Sequence, residues 1–400
     1  MGLRSLRGLR GLRIGIDGGC WSNWRGYGRY TRNLLSALAA RDDGNEYLMF
    51  MDAESAAAND LPPGFKAVIV DLSEAPGTAA SADGRRSIVD LLRMSRAVAQ
   101  HRLDVFFFPS VYTYFPLIRP VPMIVAIHDV IAERHPEMIF PNQRARFFWR
   151  AKLALARRQA RMILTVSDHA KAGICEQFKL PDRKVRVILE AHDPLFRVMP
   201  AARDPAEILT GHGLTPGLRY LIYVGGLSPH KNLKVLIEAF RRIAPRFPTL
   251  RLLLVGNFSG DVFFSAYTEL KRQVEQNDLS NQVCFTGFVD DASLIELLNR
   301  AELLIMPSLE EGFGLPAFEA AACGTPSVVS EVGPAASLLK DAVIAFAPHD
   351  VDALTNALDT ILANPAHRQQ MAAAALSRSA EFSWQRAATE FSALLQEVAH

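Results

Sequence analysis

The 400-residue sequence predicts an α/β protein of two Rossmann-like, doubly wound parallel sheets in tandem, and three observations carry that prediction. The length exceeds what one hydrophobic core usually organises. Short apolar runs alternate with amphipathic stretches throughout, the pattern of parallel strands covered on both faces by helices. The alternation lapses once, over 193–218, where Pro194, Pro200, Pro205 and Pro216 fall among Gly211, Gly213 and Gly217, and then restarts. The expected organisation is a first domain over 1–195, a linker over 196–218, a second domain over 219–383, and a closing helix over 384–400 that packs back toward the first domain. Sheets of this kind bind ligands outside the carboxyl ends of their strands, so functional residues are expected just after strands, facing a central cleft.

In the first half, "RIGID" (13–17), "YLMFM" (47–51), "AVIV" (67–70), "VFFFP" (105–109), "MIVAIHD" (123–129), "MILTVS" (162–167) and "VRVIL" (185–189) read as buried strands. Helices are expected over 29–40, 87–100 and the basic stretch 142–161. The second half repeats the rhythm with strands at 219–225, 250–256, 283–287, 302–307 and 326–330, and helices beginning near Asn232, Val262, Ala292 and Pro316. From Asp350 to the end the chain reads as helical.

Composition excludes several classes. Hydrophobic residues at 49 % and charged residues at 22 % are an ordinary globular balance. Lys plus Arg (44) nearly cancel Asp plus Glu (42), so no overall field recruits nucleic acid. Cys20, Cys175, Cys284 and Cys323 are scattered, without the spacing of a zinc site or a disulfide framework, which favours a reducing compartment. Arginines at positions 4, 7, 10 and 13 interrupt any signal-peptide core, and no later run approaches the roughly 20 apolar residues of a spanning helix. The expected location is cytoplasmic, with a peripheral place at the inner face of the plasma membrane as a further option.

The segment "PSLEEGFGLPAFEAAACGTPSVVS" (307–330) follows a strand, and Pro316 suits the first positions of a helix. Gly312, Phe313 and Gly314 then present backbone amides where a helix N-terminus collects positive charge, a seat for an anion or a set of hydroxyls. Glu311 and Glu319 flank that turn, and a carboxylate accepting two hydrogen bonds matches a vicinal diol. A loop glutamate and a helix-dipole glutamate would look the same in isolation. In "IYVGGLSPHKNLKVLIEAF" (222–240), Gly225 and Gly226 follow a buried strand and His230 and Lys231 open an amphipathic helix. Glycines let a phosphate approach the backbone, and a lysine there suits a leaving-group oxyanion without a metal. In "DGGCWSNWRGYGRYTRNLL" (17–35), Gly26 and Gly28 either bring amides toward a ligand or simply permit a turn. "IVAIHDV" (124–130) ends a buried strand in His128 and Asp129, a polar pair placed to face a cleft.

These pieces, with "LTVSDHAKAGI" (164–174) and "FTGFVDDASL" (285–294), resemble in order and spacing the retaining GT-B glycosyltransferases of family 4 across nearly the whole chain. The resemblance implies that Glu319 holds the donor ribose, while Glu311 and the backbone from Gly312 to Leu315 hold the transferred sugar. It further implies that Lys231 grips the diphosphate, that His128 meets the sugar near the reacting carbon, and that the base lies against Phe288 and Val289. One departure is His230, which stands where the family commonly has arginine and whose charge near neutral pH is open.

The expected activity is therefore transfer of a hexose, mannose from GDP-mannose by likeness to bacterial polysaccharide enzymes, to a glycan or lipid-linked acceptor. A UDP-sugar donor, an epimerase and a non-catalytic binding module remain alternatives. Retention is expected through same-face attack, with the departing phosphate as base, rather than through a covalent adduct on Glu311. No cofactor or metal is expected, because "DVD" (350–352) precedes a helix and reads as a cap rather than a D-x-D cation site. A dinucleotide dehydrogenase, with Asp52 as its ribose acid, is disfavoured because the glycines come too late after the first strand. Finally, "NQRARFFWRAKLALARRQARMI" (142–163) has seven basic residues, no acidic one, and Phe147, Phe148 and Trp149 among them. That pattern fits either contact with anionic lipid or an ordinary helix whose aromatics pack inward.

Overall fold

Parallel pairing dominates a computed structural model that describes residues 11–23, 26–58, 60–73, 87–201, 203–210, 212, 214–257 and 265–400. The first sheet contains β1 (Arg13–Asp17), β2 (Glu46–Met51), β3 (Phe65–Ile69), β4 (Val105–Phe108), β5 (Met123–Ala126), β6 (Met162–Thr165) and β7 (Val185–Val187). Their spatial order is β3-β2-β1-β4-β5-β6-β7, every described pair parallel. The second sheet contains β8 (Arg219–Val224), β9 (Leu250–Val255), β10 (Val283–Gly287), β11 (Leu303–Met306), β12 (Ser327–Ser330) and β13 (Val343–Phe346), in the order β10-β9-β8-β11-β12-β13. Each order reverses once, between β1 and β4 and between β8 and β11. Those two reversals are the positions at which the loops leaving adjacent strands diverge and open a crevice.

The central strands are apolar on both faces because helices cover both. Phe106, Phe107 and Phe108 on β4 and Leu303, Leu304 and Ile305 on β11 are fully buried. Two buried tyrosines of β8 satisfy their hydroxyls locally: Tyr220 donates to the Leu297 carbonyl at 2.6 Å and Tyr223 to that of Gly226 at 2.6 Å. The closing helix, Trp384–Ala399, returns to the first domain as expected. Phe391 packs on Phe107 with ring centroids 4.5 Å apart, and the Trp384 indole donates to the His192 carbonyl at 3.1 Å.

Several elements differ from the sequence reading. The helix expected from Arg29 begins at Gly26 and runs to Ala39, so Gly26 and Gly28 lie in its first turn rather than in the loop before it. A Cβ on Gly28 would fall 1.8 Å from the Asn23 carbonyl oxygen, which gives that glycine a packing reason, while a Cβ on Gly26 would meet nothing. The helix start expected near Val262 lies outside the described residues; the described helix there is Tyr267–Gln276. Strand β13 was not expected. Within the stretch expected to be linker, Pro205–Ile208 is a short helix, and Arg203 pairs with Glu296 at 2.8 Å. Asp52 caps the helix Ala53–Ala58 by accepting from the Ser55 amide at 2.9 Å. Asp350 likewise accepts from the Ala353 amide at 2.8 Å, the cap that its position suggested.

Candidate active site

The reversal between β8 and β11 brings together residues eighty positions apart. After β8 the chain makes a 3-10 turn, Pro229–Lys231, and Asn232 adopts a left-handed conformation (φ 57°) before the helix Leu233–Ile243. The Asn232 side-chain Nδ2 donates to the carbonyls of Pro307 at 3.0 Å and Pro348 at 2.6 Å, tying this turn to the segment that leaves β11. The tie sets Lys231 Nζ 2.7 Å from Glu311 Oε1, and Ser308 Oγ lies 2.7 Å from the same oxygen. Around Glu311, the residues Phe313, Gly314, Ser330 and Gly333 line a small hollow at the ends of β11 and β12. Gly314 has φ 88°, which an L side chain rarely adopts, and the helix Leu315–Ala322 starts at the next residue.

His230 is buried, and its Nδ1 has no hydrogen-bond partner among the described residues. Burial, with Lys231 and His135 nearby, pushes its pKa well below the usual histidine value. Its charge, open in the sequence, is thus that of a neutral imidazole. It brings a hydrogen-bonding ring to the turn, and Lys231 brings the cation.

Glu319 sits in the helix Leu315–Ala322 and is 4 % exposed. Burial pushes its pKa up to about 7, against the opposing pull of Arg29 and with Asp291 and Asp193 adding to the rise. Arg29 Nη1 donates to Glu319 Oε1 at 2.8 Å, reaching over from the helix Gly26–Ala39 of the other domain. Arg29 lies within the segment 17–35, but nothing in the sequence tied it to Glu319, 290 residues away.

Facing these residues across the cleft are His128 and Asp129, just after β5. Both His128 ring nitrogens are engaged: Nδ1 is 3.2 Å from Glu190 Oε1 and Nε2 is 2.9 Å from the Pro109 carbonyl oxygen. Burial alone would lower the His128 pKa; the Glu190 carboxylate and the Pro109 carbonyl more than offset it, and the net direction is upward. Two acceptors on one ring favour the doubly protonated imidazolium. In this structure both nitrogens of the ring expected to meet the sugar are thus taken up by protein acceptors. His128 clamps the ends of β4 and β5, and its backbone carbonyl carries the contact across the cleft. A Cβ on Gly312 would fall 2.5 Å from the His128 carbonyl oxygen, so the turn after β11 closes on this residue only as glycine. Asp129, whose pKa burial raises, is close enough to Glu311 and Lys231 to feel both charges.

Further residues close the cleft. Ser167 Oγ donates to the Gly312 carbonyl at 2.6 Å. Glu310 accepts from Arg134 at 2.8 Å, with His169 Nε2 3.2 Å away; burial would raise its pKa, but those two partners draw it below the usual value. Ser167 and His169 belong to the segment "LTVSDHAKAGI", and Ser308 and Glu310 to the segment 307–330, so a signal existed for them, whereas Glu190 stood in the sequence without one. Phe288 and Val289 follow β10, two strands from β8 on the same carboxyl edge; Phe288 is 71 % exposed and Val289 packs on the core. Among the described residues no group of histidine, cysteine and carboxylate side chains is arranged to hold a metal ion.

The family model described as Glycosyltransferase Family 4 matches residues 24–194, and that described as Glycosyl transferases group 1 matches residues 207–378. O-antigen chain mannosyltransferase B of Escherichia coli is 28 % identical over 310 residues, covering 74 % of this chain and 75 % of that protein. The serotype-specific mannosyltransferase WbdA of the same organism is 28 % identical over 270 residues, 66 % of this chain but only 32 % of that protein. Among solved structures, sucrose-phosphate synthase from Thermosynechococcus elongatus superposes with a TM-score of 0.74 at 20 % identity, over 97 % of this chain and 99 % of that one. HepE from Anabaena, solved in complex with UDP-glucose, gives 0.72 at 19 % identity over 96 % and 100 %. Both superpositions are of the GT-B fold.

Proposed function

The chain belongs to glycosyltransferase family 4, with its second half among the glycosyl transferases group 1, and from that premise we propose that it transfers mannose from GDP-mannose, with retention and without a metal, to a glycan or lipid-linked acceptor. One observation carries the reading: Lys231 and Glu311 meet at 2.7 Å at the β8/β11 reversal, so a site for a leaving diphosphate adjoins a site for sugar hydroxyls. Breaking the sugar–phosphate bond sends its electron pair to the diphosphate. The Lys231 ammonium, the His230 ring and the amides of Gly312, Phe313 and Gly314 stabilise that developing charge. The acceptor hydroxyl attacks the same face, and its proton passes to the departing phosphate oxygen.

Likeness to the O-antigen mannosyltransferase favours mannose, and the fold shared with a protein solved with UDP-glucose keeps a UDP-sugar as the rival. A thermal-shift screen of GDP-mannose, UDP-glucose, UDP-galactose and UDP-N-acetylglucosamine, each with and without EDTA, tests donor and metal together. GDP-mannose is expected to raise the melting temperature most, by an amount the chelator leaves unchanged. A larger rise with any UDP-sugar, or a rise lost in EDTA, would refute the corresponding part.

The helix Gln143–Gln159 supports a place at a membrane surface. Trp149, Leu153 and Ala156 pack inward, but Phe147 and Phe148 are 67 % and 57 % exposed, so of the three aromatics only Trp149 follows the inward-packing alternative. Arg144, Arg150 and Arg158 are exposed on the same helix. Paired aromatics amid arginines suit an interface of anionic headgroups, and among the described residues no helix is long and apolar enough to cross a membrane. Vesicles containing phosphatidylglycerol should co-sediment the protein and neutral vesicles should not. Phe147→Ser combined with Phe148→Ser should release it, and equal binding to both vesicle types would end the idea.

A further inference from the structure

The strongest unassigned feature of the cleft is the ion cluster around Glu319. Its carboxylate is buried beneath the start of the second domain's helix, and the charged groups facing it come from three other elements. Asp291 opens the helix Asp291–Arg300, Asp193 lies beyond β7, and Arg29 lies on the first domain's helix Gly26–Ala39; Cys323 stands one helical turn away. Arg29 hydrogen-bonds both Glu319 and Asp291, and its guanidinium lies over the Phe196 ring at 5.6 Å, so the fork is held from several sides. Three carboxylates thus surround one guanidinium, with Arg32 the next cation along the same helix.

We propose that Arg29 is a positioning residue for donor binding: reaching across the cleft, it holds the Glu319 carboxylate in place as an anion, so the ribose site is complete only when the two domains are closed on each other. The inference rests on the ribose-binding role read for Glu319 above. A ribose diol donates hydrogen bonds to a carboxylate, and a protonated carboxyl accepts them less well. Burial and two neighbouring acids all favour the protonated form, and Arg29 opposes them directly. Only Oε1 of Glu319 is hydrogen-bonded by Arg29. The second oxygen is the one assigned to the diol.

The test is isothermal titration calorimetry with GDP and with UDP between pH 5.5 and 9 on four full-length proteins: wild type, Arg29→Lys, Arg29→Met and Glu319→Gln, each with its melting curve. Wild type should lose affinity as pH falls through about 7, because the protonated carboxyl is the weaker acceptor. Without the guanidinium the carboxyl takes up its proton at higher pH. Arg29→Met should therefore bind about fivefold more weakly at neutral pH, with the acid-side loss displaced by about one pH unit toward alkali and near-normal affinity at pH 9. Arg29→Lys should recover most of the affinity and the profile; a merely structural role would weaken binding without moving the profile. An Arg29→Met profile superposing on wild type overturns the proposal. So does tighter binding by that variant, which would mean that the guanidinium occupies the diol's place. Should Arg29→Met be insoluble, a wild-type profile in Arg29→Lys together with an unshifted one in Arg29→Gln decides against it equally. Glu319→Gln retaining wild-type affinity and pH dependence would instead sink the ribose reading, and this inference with it.

Discussion

Lys231→Ala is expected to lower kcat by about 10²–10³-fold, the usual consequence of removing one preorganised group that stabilises leaving-group charge. The loss corresponds to about 3–4 kcal/mol of barrier. Two effects combine. The ammonium opposite the departing diphosphate disappears, and Glu311, which it neutralises at 2.7 Å, becomes an uncompensated anion beside that same diphosphate. Removing the partner charge is therefore worse than removing the pair, so Lys231→Ala with Glu311→Gln should lose less than the product of the single losses. Lys231→Arg keeps the charge but changes its reach and should retain part of the rate. Steady-state release of nucleoside diphosphate measures all of these. The pair is partly solvated, with side-chain exposures of 21 % and 16 %, so the melting temperature should change little. A drop in kcat smaller than about tenfold would remove Lys231 from the site of bond breaking.

How much of this could be read from the chain follows from distance along it. Lys231 and Glu311 were each visible because glycine turns after buried strands have local signatures. That they touch was not, since it depends on β8 lying beside β11, which is a property of the sheet order. Arg29 was hidden for the same reason: a guanidinium on an ordinary helix becomes informative only once Glu319 is found against it. His128 was found by its place at a strand end, yet its rotamer depended on Glu190, sixty-two residues on, and on a backbone carbonyl. Strand β13 escaped because it lies at a sheet edge with Val343, Ile344 and Ala345 only partly covered or exposed, so "VIAF" looks like a short apolar patch rather than a bounded strand. Phe147 and Phe148 show the converse limit. Trp149, Leu153 and Ala156 pack inward, but whether the two aromatics next to Trp149 follow depends on room above the sheet, which the sequence does not show.

For the retention proposed above, Glu311 discriminates between a covalent and a same-face route, and its substitutions should separate the two. Glu311→Ala and Glu311→Gln are expected to reduce kcat/KM by about 10²-fold or more, as charge-assisted hydrogen bonds to the sugar worth about 1.5–3 kcal/mol each are lost. Such a loss alone would equally suit a nucleophile. The structure argues against nucleophilic attack on physical grounds: Glu311 Oε1 is held by the Lys231 ammonium at 2.7 Å and by Ser308 Oγ at 2.7 Å, which ties its electron density to donors. An attacking carboxylate needs a lone pair free toward the anomeric carbon. Its other oxygen would also have to abandon sugar hydroxyls for that carbon. Same-face attack asks for none of this; it needs the cation, the amides and a sugar held at an angle that exposes its anomeric face to the acceptor. Accordingly, a 2-fluoro donor analogue should leave the intact protein mass unchanged, and azide should not rescue Glu311→Ala by forming a glycosyl azide of inverted configuration. A fluoroglycosyl mass increment mapped to Glu311 would overturn the same-face route while leaving the donor site where it is.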